Sequence, residues 1–292
     1  MKGKREQNKH KHHKQPQFYL KGFVAEDEEH PNTPSLWIYK RGEIPKRKGI
    51  SNAAFTKDFY AFKENDGSIN FNKYEDLLMR DFEQPTNSIL EKLRRFEMID
   101  EAEKEIFSRY VASMITRSDW AKNIHFKTVE EIASSTNEKY QETFKKEENK
   151  IKINEIIINA KENLKHGEFF PKSIISMAEK ASGIIKKMNW RFLVAPDNMP
   201  FLTSDKPVFY TKLDEKGSEV IFPISSKVML SASWIDFTNK YWKKVGNAFW
   251  KVNDQTVETE RKCIVSVAIK EVYFSEKVDW LVKFVNNRIG SL

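Results

Sequence analysis

The sequence contains a single cysteine, Cys263, and no long apolar run. One cysteine cannot form an intramolecular disulfide, which fits a reducing compartment and leads us to expect a cytoplasmic protein. Cys263 lies in an apolar stretch, where a buried structural thiol is expected more often than a nucleophile. No run of about 18 apolar residues is present, so no membrane-spanning helix is predicted. The basic N-terminus is followed by no apolar region, and a secretory signal is not predicted.

Several catalytic patterns are also absent. Glycine accounts for only 10 of the 292 residues, and no glycines have the spacing of a phosphate-binding loop. A Cys/His zinc pattern cannot form with one cysteine. The sequence has neither a Gly-x-Ser-x-Gly turn nor a His-Glu-x-x-His helix. These absences argue against nucleotide binding through a glycine-rich loop, against a Cys/His zinc site and against the serine hydrolases that carry the Gly-x-Ser-x-Gly turn.

Aromatic residues, by contrast, are abundant. They make up 13% of the chain, and apolar residues as a whole make up 39%. A disordered chain is poor in aromatics, so this chain has the material for a folded core. The length favours one large domain or two tightly joined lobes, and we predict a single domain over residues 13–292.

Positive charge concentrates at the N-terminus. Residues 2–14 hold six lysine or arginine residues and one glutamate, while the whole chain has a net charge of +8. We therefore predict a basic, flexible tail over residues 1–12, with His10 and His12 solvated. Such a tail attracts phosphates, so nucleic acid is one candidate partner.

Hydrophobic periodicity divides the chain into three sections. Residues 13–73 read mostly as strands and turns, and residues 74–189 follow helical spacing. Residues 190–292 read mostly as strands. This order predicts an α+β fold with short N-terminal strands, a central run of long helices and a C-terminal antiparallel or mixed sheet. The first and last sections could share one sheet.

Local signals refine these boundaries. Asn65-Asp66-Gly67 is a strong turn signal, and Pro85 suits the first turn of a new helix. Asp100 with Glu103 resembles a capping box at the start of a further helix. The predicted strands cover residues 35–39, 58–62, 190–194, 208–211, 219–222, 227–231, 263–268 and 272–275, and C-terminal helices are predicted over residues 252–260 and 279–288.

Two motifs resemble those of a known prokaryotic family. Residues 13–23 read His-Lys-Gln-Pro-Gln-Phe-Tyr-Leu-Lys-Gly-Phe, and residues 201–208 read Phe-Leu-Thr-Ser-Asp-Lys-Pro-Val. Both resemble motifs of the DUF4238 family, with Lys206 where asparagine is common. Weaker agreements occur at residues 37–39, 59–60, 83, 116–118 and 222–225, so the resemblance runs from about residue 10 to 275. It implies a fold and candidate site residues, but no defined activity.

The first motif supplies two candidate catalytic residues, His13 and Gln17. A histidine can act as a base or metal ligand, and a glutamine can orient a substrate or water. The alternative is a structural segment in which both side chains bond to backbone groups. Tyr19, a candidate binding residue, and Phe23 would anchor this segment in the core.

The second motif supplies Asp205 as a catalytic candidate, with Ser204 and Lys206 as binding candidates. Loops at strand ends often carry function. Alternatively, the Asp205 carboxylate caps backbone N–H groups in a turn before Pro207. Lys206 could bind phosphate or be exposed.

Glu83 and Arg117 come from the helical section, where a charged residue is unusual unless it is paired. They could pair with each other or with Asp205. Alternatively, Arg117 could form an anion site as a bidentate fork. Because single buried charges are costly, we predict one polar cluster of His13, Glu83, Arg117 and Asp205.

Two functional hypotheses follow. The first is a phosphodiester hydrolase acting on nucleic acid, in which carboxylates could hold a divalent metal and Arg117 would stabilise the phosphate charge. The second is a binding or regulatory module, whose charged helices around residues 120–165 contact a protein partner or nucleic acid. Convergence of the five catalytic candidates on one open pocket would favour the enzyme.

Overall fold

The structure is a computed structural model that describes residues 9–25, 33–143, 147–235, 243–245 and 248–291. Most of the predicted basic tail, residues 1–8, lies outside the described residues. The N-terminal section forms short strands, as predicted, with one short helix. Its elements are β1 (Lys11–His13), α1 (Gln17–Leu20), β2 (Ser35–Tyr39), β3 (Lys46–Gly49), β4 (Phe55–Lys57), β5 (Phe62–Lys63) and β6 (Ile69–Asn70).

The central section is helical, and a π turn (Met79–Glu83) joins its first two helices. The helices are α2 (Lys73–Leu78), α3 (Gln84–Arg94), α4 (Glu101–Thr116), α5 (Asp119–Thr143), α6 (Glu147–His166) and α7 (Phe169–Ile185). The predicted capping box is confirmed, because the Asp100 side chain accepts from the Glu103 backbone N–H and the Glu103 side chain accepts from that of Asp100. Two backbone N–H groups at the start of α4, which have no acceptor within the helix, thereby gain hydrogen bonds.

The C-terminal section contains strands with two helices, α8 (Asp254–Val267) and α9 (Asp279–Arg288). No described helix is apolar over a length that could cross a bilayer. The strands are β7 (Asn189–Val194), β8 (Thr203–Ser204), β9 (Phe209–Tyr210), β10 (Glu219–Pro223), β11 (Val228–Ser233), β12 (Lys243–Val245), β13 (Phe249–Lys251) and β14 (Val272–Phe274).

Two larger sheets organise these strands. The first is a mixed sheet in the order β12-β13-β7-β11-β10-β9, in which β13 runs parallel to β7. The second, in the order β3-β2-β14-β8, is antiparallel and joins the first section of the chain to the last. An α+β fold and a sheet shared between the two ends of the chain are thus confirmed.

Three local predictions are wrong. Residues 58–60 form a turn, in which Asp58 has a φ of 54°, so residues 58–62 are not one strand. Residues 263–267 belong to α8. His12 is fully buried rather than solvated: its Nδ1 accepts from the Tyr60 backbone N–H at 2.9 Å, and its Nε2 lies 2.9 Å from the Phe71 carbonyl. The tail boundary predicted after residue 12 therefore falls inside β1, which pairs with β4.

Candidate functional site

Arg117 is the centre of a buried polar group at the end of α4. Its side chain is fully buried, and its Nη2 donates to Glu83 Oε1 at 2.6 Å and to the His13 carbonyl at 2.7 Å. Its Nε donates to the Tyr60 hydroxyl at 2.9 Å. Of the alternatives that the sequence left open for these two residues, the structure shows the pairing of Glu83 with Arg117. The first motif of the chain and the helical section meet at this guanidinium.

The π turn before α3 places Glu83 at this position. Pro85 has no backbone N–H, so a regular helical hydrogen bond is missing there in any case. A π turn takes up one extra residue within a helix, and such turns are frequent at functional sites. Glu83 ends the π turn, and its side chain is 16% exposed beside the buried Arg117.

Glu75 is a further member of the group that the sequence reasoning missed. It precedes Glu83 by eight residues. Two regular helical turns span about seven residues, and the π turn accommodates the additional one. Burial raises the pKa of Glu75 to about 7, and the nearby Glu83 also raises it. Arg117 and a hydrogen bond from the His13 backbone partly offset that rise in the pKa. The spacing of eight residues between Glu75 and Glu83 was the one feature of the sequence that could have indicated Glu75 as a member of the group.

His13 completes the group from strand β1. Burial, together with the positive charges of Lys11 and Arg117, lowers the pKa of His13 to about 4. The ring is therefore neutral at pH 7. Its Nδ1 atom is buried and has no hydrogen-bond partner within the described part of the chain.

Asp205 is not joined to this group, which corrects the prediction of one cluster. Its Oδ1 accepts from the Ile269 backbone N–H at 2.8 Å, and its Oδ2 accepts from those of Lys270 and Glu271 at 2.7 and 3.2 Å. No hydrogen bond or ion pair links it to Arg117 among the residues that the structure describes. Burial raises the pKa of Asp205 to about 6, although these backbone donors oppose the rise. The carboxylate thus holds the loop that enters β14.

Gln17 also lies outside the group, because its side chain is exposed at the start of α1. The buried glutamine of the motif is Gln15, whose Nε2 donates to the Asp205 carbonyl at 2.8 Å. Its Oε1 is buried without a partner in the described structure. Gln15 therefore connects the two motifs, a role that the sequence analysis did not consider.

The three predicted binding residues have structural contacts. The Tyr19 hydroxyl lies 2.7 Å from Thr203 Oγ1, and its ring stacks on Phe222. Ser204 Oγ donates to the Lys206 carbonyl at 2.8 Å, which closes the turn before Pro207. The Lys206 ammonium lies 4.4 Å from the centre of the Trp120 ring. Ligand binding by these residues stays a prediction.

Replacing Asp205 with asparagine should lower the free energy of unfolding by about 2–3 kcal/mol. The amide NH₂ of asparagine is a donor, so at least one backbone N–H that donates to the native carboxylate would lose its acceptor. Chemical denaturation measures the change. Asp214→Asn, at an exposed position, is the matched control and should change stability by less than about 0.5 kcal/mol. A loss below about 1 kcal/mol for Asp205→Asn, combined with lost activity, would instead support the catalytic role.

No group of three or more His, Cys, Asp or Glu side chains in the described residues could hold a metal ion. Comparison with known proteins finds no curated protein and no solved structure that matches. The model of the family described as "Protein of unknown function (DUF4238)" matches residues 11–278. This match includes both motifs and covers most of the 292 residues. The chain therefore belongs to the DUF4238 family.

Proposed function

We propose that this protein is a phosphodiester hydrolase whose site consists of His13, Glu75, Glu83 and Arg117. The observation that carries the proposal is unmet hydrogen bonding. His13 Nδ1, Glu75 Oε2 and Arg117 Nη1 are all buried, and none has a partner among the described residues. A buried unpartnered polar atom costs about 1–3 kcal/mol, and such atoms call for a water, an ion or a functional explanation. The proposal rests on these three atoms of one interacting group, which favour a site that a substrate completes, and not on convergence of all five candidates, because Gln17 and Asp205 lie outside the group.

The different pKa values assign the proton transfers. Neutral His13 accepts the proton of an attacking water at Nδ1, while the water oxygen forms a bond to phosphorus. Glu75, with a pKa of about 7, donates its proton to the leaving oxygen as the bond between phosphorus and that oxygen breaks. Pairs of titratable groups whose pKa values are pushed apart are typical of acid–base sites. Arg117 Nη1 donates to the phosphate, and Glu83 holds the guanidinium in place.

An anionic substrate suits the charges around His13. Lys11 lies in β1 and pairs in register with Lys57 of β4, two residues along the strand from His13. Further lysines and an arginine precede β1 in the sequence. We therefore propose nucleic acid as the substrate, bound in a salt-dependent way through its phosphates. The single cysteine supports the further proposal of a cytoplasmic location.

The rate of phosphodiester hydrolysis should depend on pH in a bell shape. His13 must be neutral, so the rate should rise as the pH increases through about 4. Glu75 must be protonated, so the rate should fall as the pH increases through about 7. A chromogenic phosphodiester and a single-stranded oligonucleotide, assayed from pH 3.5 to 9, measure the profile.

The variant Glu75→Gln should lower the rate at pH 6 roughly 10²- to 10⁴-fold, the usual contribution of a general acid. Glu142→Gln, at an exposed position in α5, is the control and should leave the profile unchanged. No hydrolysis by the intact protein, or an unchanged rate for Glu75→Gln, would refute the proposed function.

A second candidate, a binding module for a protein partner, rests on α5 and α6. These helices carry several exposed isoleucines, including Ile132 (55% exposed) and Ile156 (65% exposed). Exposed apolar side chains concentrated on two neighbouring helices favour an interaction surface. If the protein is folded and hydrolyses no phosphodiester, this is the function that we would favour.

A further inference from the structure

A separate pocket of about 510 Å³ lies beside the turn that carries Tyr60. It is bounded by the turn residues Asp58 and Phe59, by α5 and by the start of α7. Tyr60 does not line this pocket, and its hydroxyl instead accepts a hydrogen bond from Arg117. The same turn therefore has one residue at the proposed hydrolytic site and its neighbours at this pocket.

Phenylalanine dominates the pocket walls. Phe59 and Phe170 meet edge to face with ring centres 5.8 Å apart, and Phe126 approaches Phe170 at 6.0 Å. Phe62 and Phe71 also line the pocket. Aromatic rings favour flat ligands, because stacking and edge-to-face contacts stabilise them beyond the burial of area.

Lys122 brings a positive charge into these aromatic walls. Its ammonium lies 5.0, 5.6 and 5.5 Å from the ring centres of Phe59, Phe126 and Phe170. Its nearest described acceptor is the Phe59 carbonyl oxygen, at 3.4 Å. Burial lowers the pKa of Lys122, and Asp119 only partly opposes this. No carboxylate forms an ion pair with it among the residues that the structure describes.

Three other basic residues line the pocket, and of these the Lys63 side chain is exposed to solvent. Lys165 is bonded to Glu130, and His166 lies 3.6 Å from Glu162. Lys122 is thus a half-buried lysine that faces the pocket and forms no ion pair with a carboxylate in the described part of the chain. Burying a charge is costly unless an opposite charge compensates it, so an anion in the pocket would be stabilised.

We propose that this pocket binds a nucleotide, with its base among the phenylalanines and its phosphate at Lys122. Base stacking on aromatic side chains next to a basic groove is how single-stranded nucleic acids are commonly held. The nucleotide is either free or one unit of a single strand. This inference gives the nucleic acid substrate of the proposed hydrolase, or its nucleotide product, a place to bind and so rests on the proposed function, but binding at the pocket requires no turnover.

Isothermal titration calorimetry on the Glu75→Gln protein tests the proposal, because binding is then measured even if hydrolysis never occurs. The probes are AMP, a six-nucleotide single-stranded DNA, inorganic phosphate and decanoate. We expect AMP or the oligonucleotide to bind, and more tightly than phosphate or decanoate. Tighter binding by the oligonucleotide than by AMP identifies a strand as the ligand, and the reverse identifies a free nucleotide.

In the same protein, Lys122→Met should weaken nucleotide binding at least tenfold. Lys127→Met, at an exposed lysine of the same helix, should leave it unchanged. Phe126→Ala, a second variant in case Lys122→Met does not fold, should weaken binding of the nucleotide by about tenfold and that of phosphate little. No nucleotide binding by the Glu75→Gln protein, equal or tighter binding of phosphate or decanoate, or an effect of Lys127→Met as large as that of Lys122→Met would overturn the proposal.

Discussion

Replacing Arg117 with alanine is expected to lower the free energy of unfolding by about 3–5 kcal/mol. The guanidinium is fully buried and neutralises Glu83, whose side chain is only 16% exposed. It also donates to the His13 carbonyl and to the Tyr60 hydroxyl. Removing it leaves a partly buried carboxylate and two acceptors without their donor. Thermal unfolding should show a decrease in Tm of roughly 10 °C.

Two controls separate loss of the ion pair from loss of packing. The double variant Arg117→Met with Glu83→Gln should recover much of the stability, because neither unpaired charge remains. Arg95→Ala removes an exposed arginine that pairs with Glu97 on the surface and should cost less than about 1 kcal/mol. If Arg117→Ala cost no more than Arg95→Ala, the group around Arg117 would not stabilise the fold.

Deleting residues 1–23 is expected to unfold the protein or make it insoluble. Tyr19, Leu20 and Phe23 are all fully buried in the main hydrophobic core. Burial of a large apolar side chain stabilises a protein by roughly 1.5–3 kcal/mol. The loss of three such side chains approaches a typical total stability of about 5–15 kcal/mol. Circular dichroism melting and solubility measure the result.

Deleting only residues 1–9 is the matched control. Within this stretch the structure describes only Lys9, whose ammonium forms an exposed ion pair with Asp76. Such pairs are worth about 0–1 kcal/mol, so stability should hardly change. A cooperative melt of the longer deletion at the temperature of the intact chain would show that the His13 to Phe23 segment does not contribute to the core.

Features set by neighbours in the chain could be predicted from the sequence. The strand at residues 35–39, the turn at Asn65-Asp66-Gly67 and the helix over residues 279–288 occur as expected. The capping box joins Asp100 to Glu103, three positions later, so it could also be predicted from neighbouring residues in the sequence. The order of strands, helices and strands then determined the α+β class.

Short apolar runs were less informative. Residues 263–268 have the composition of a strand, yet residues 263–267 continue a helix that is capped by Asn253 and ends at Val267. Periodicity over six residues does not separate a strand from a buried helical segment. Ile264 and Val265 of α8 are buried in the core. Because both side chains are apolar, their identity fits a buried strand as well as a buried helix.

The membership of the candidate site depended on contacts between distant segments. Asp205 is held by backbone donors 64 to 66 residues further along the chain, and no local pattern shows that those N–H groups point toward it. Glu75 lies near enough to Arg117 for their charges to interact, and the π turn between Glu75 and Glu83 is a departure from regular helical spacing that the sequence pattern did not predict. The sequence by itself therefore determined the fold class and the two motifs, and it offered the Glu83–Arg117 pair as one of several alternatives. Only the tertiary structure decided which polar side chains share a buried site, because the cost of burying a charge is met by partners from anywhere in the chain.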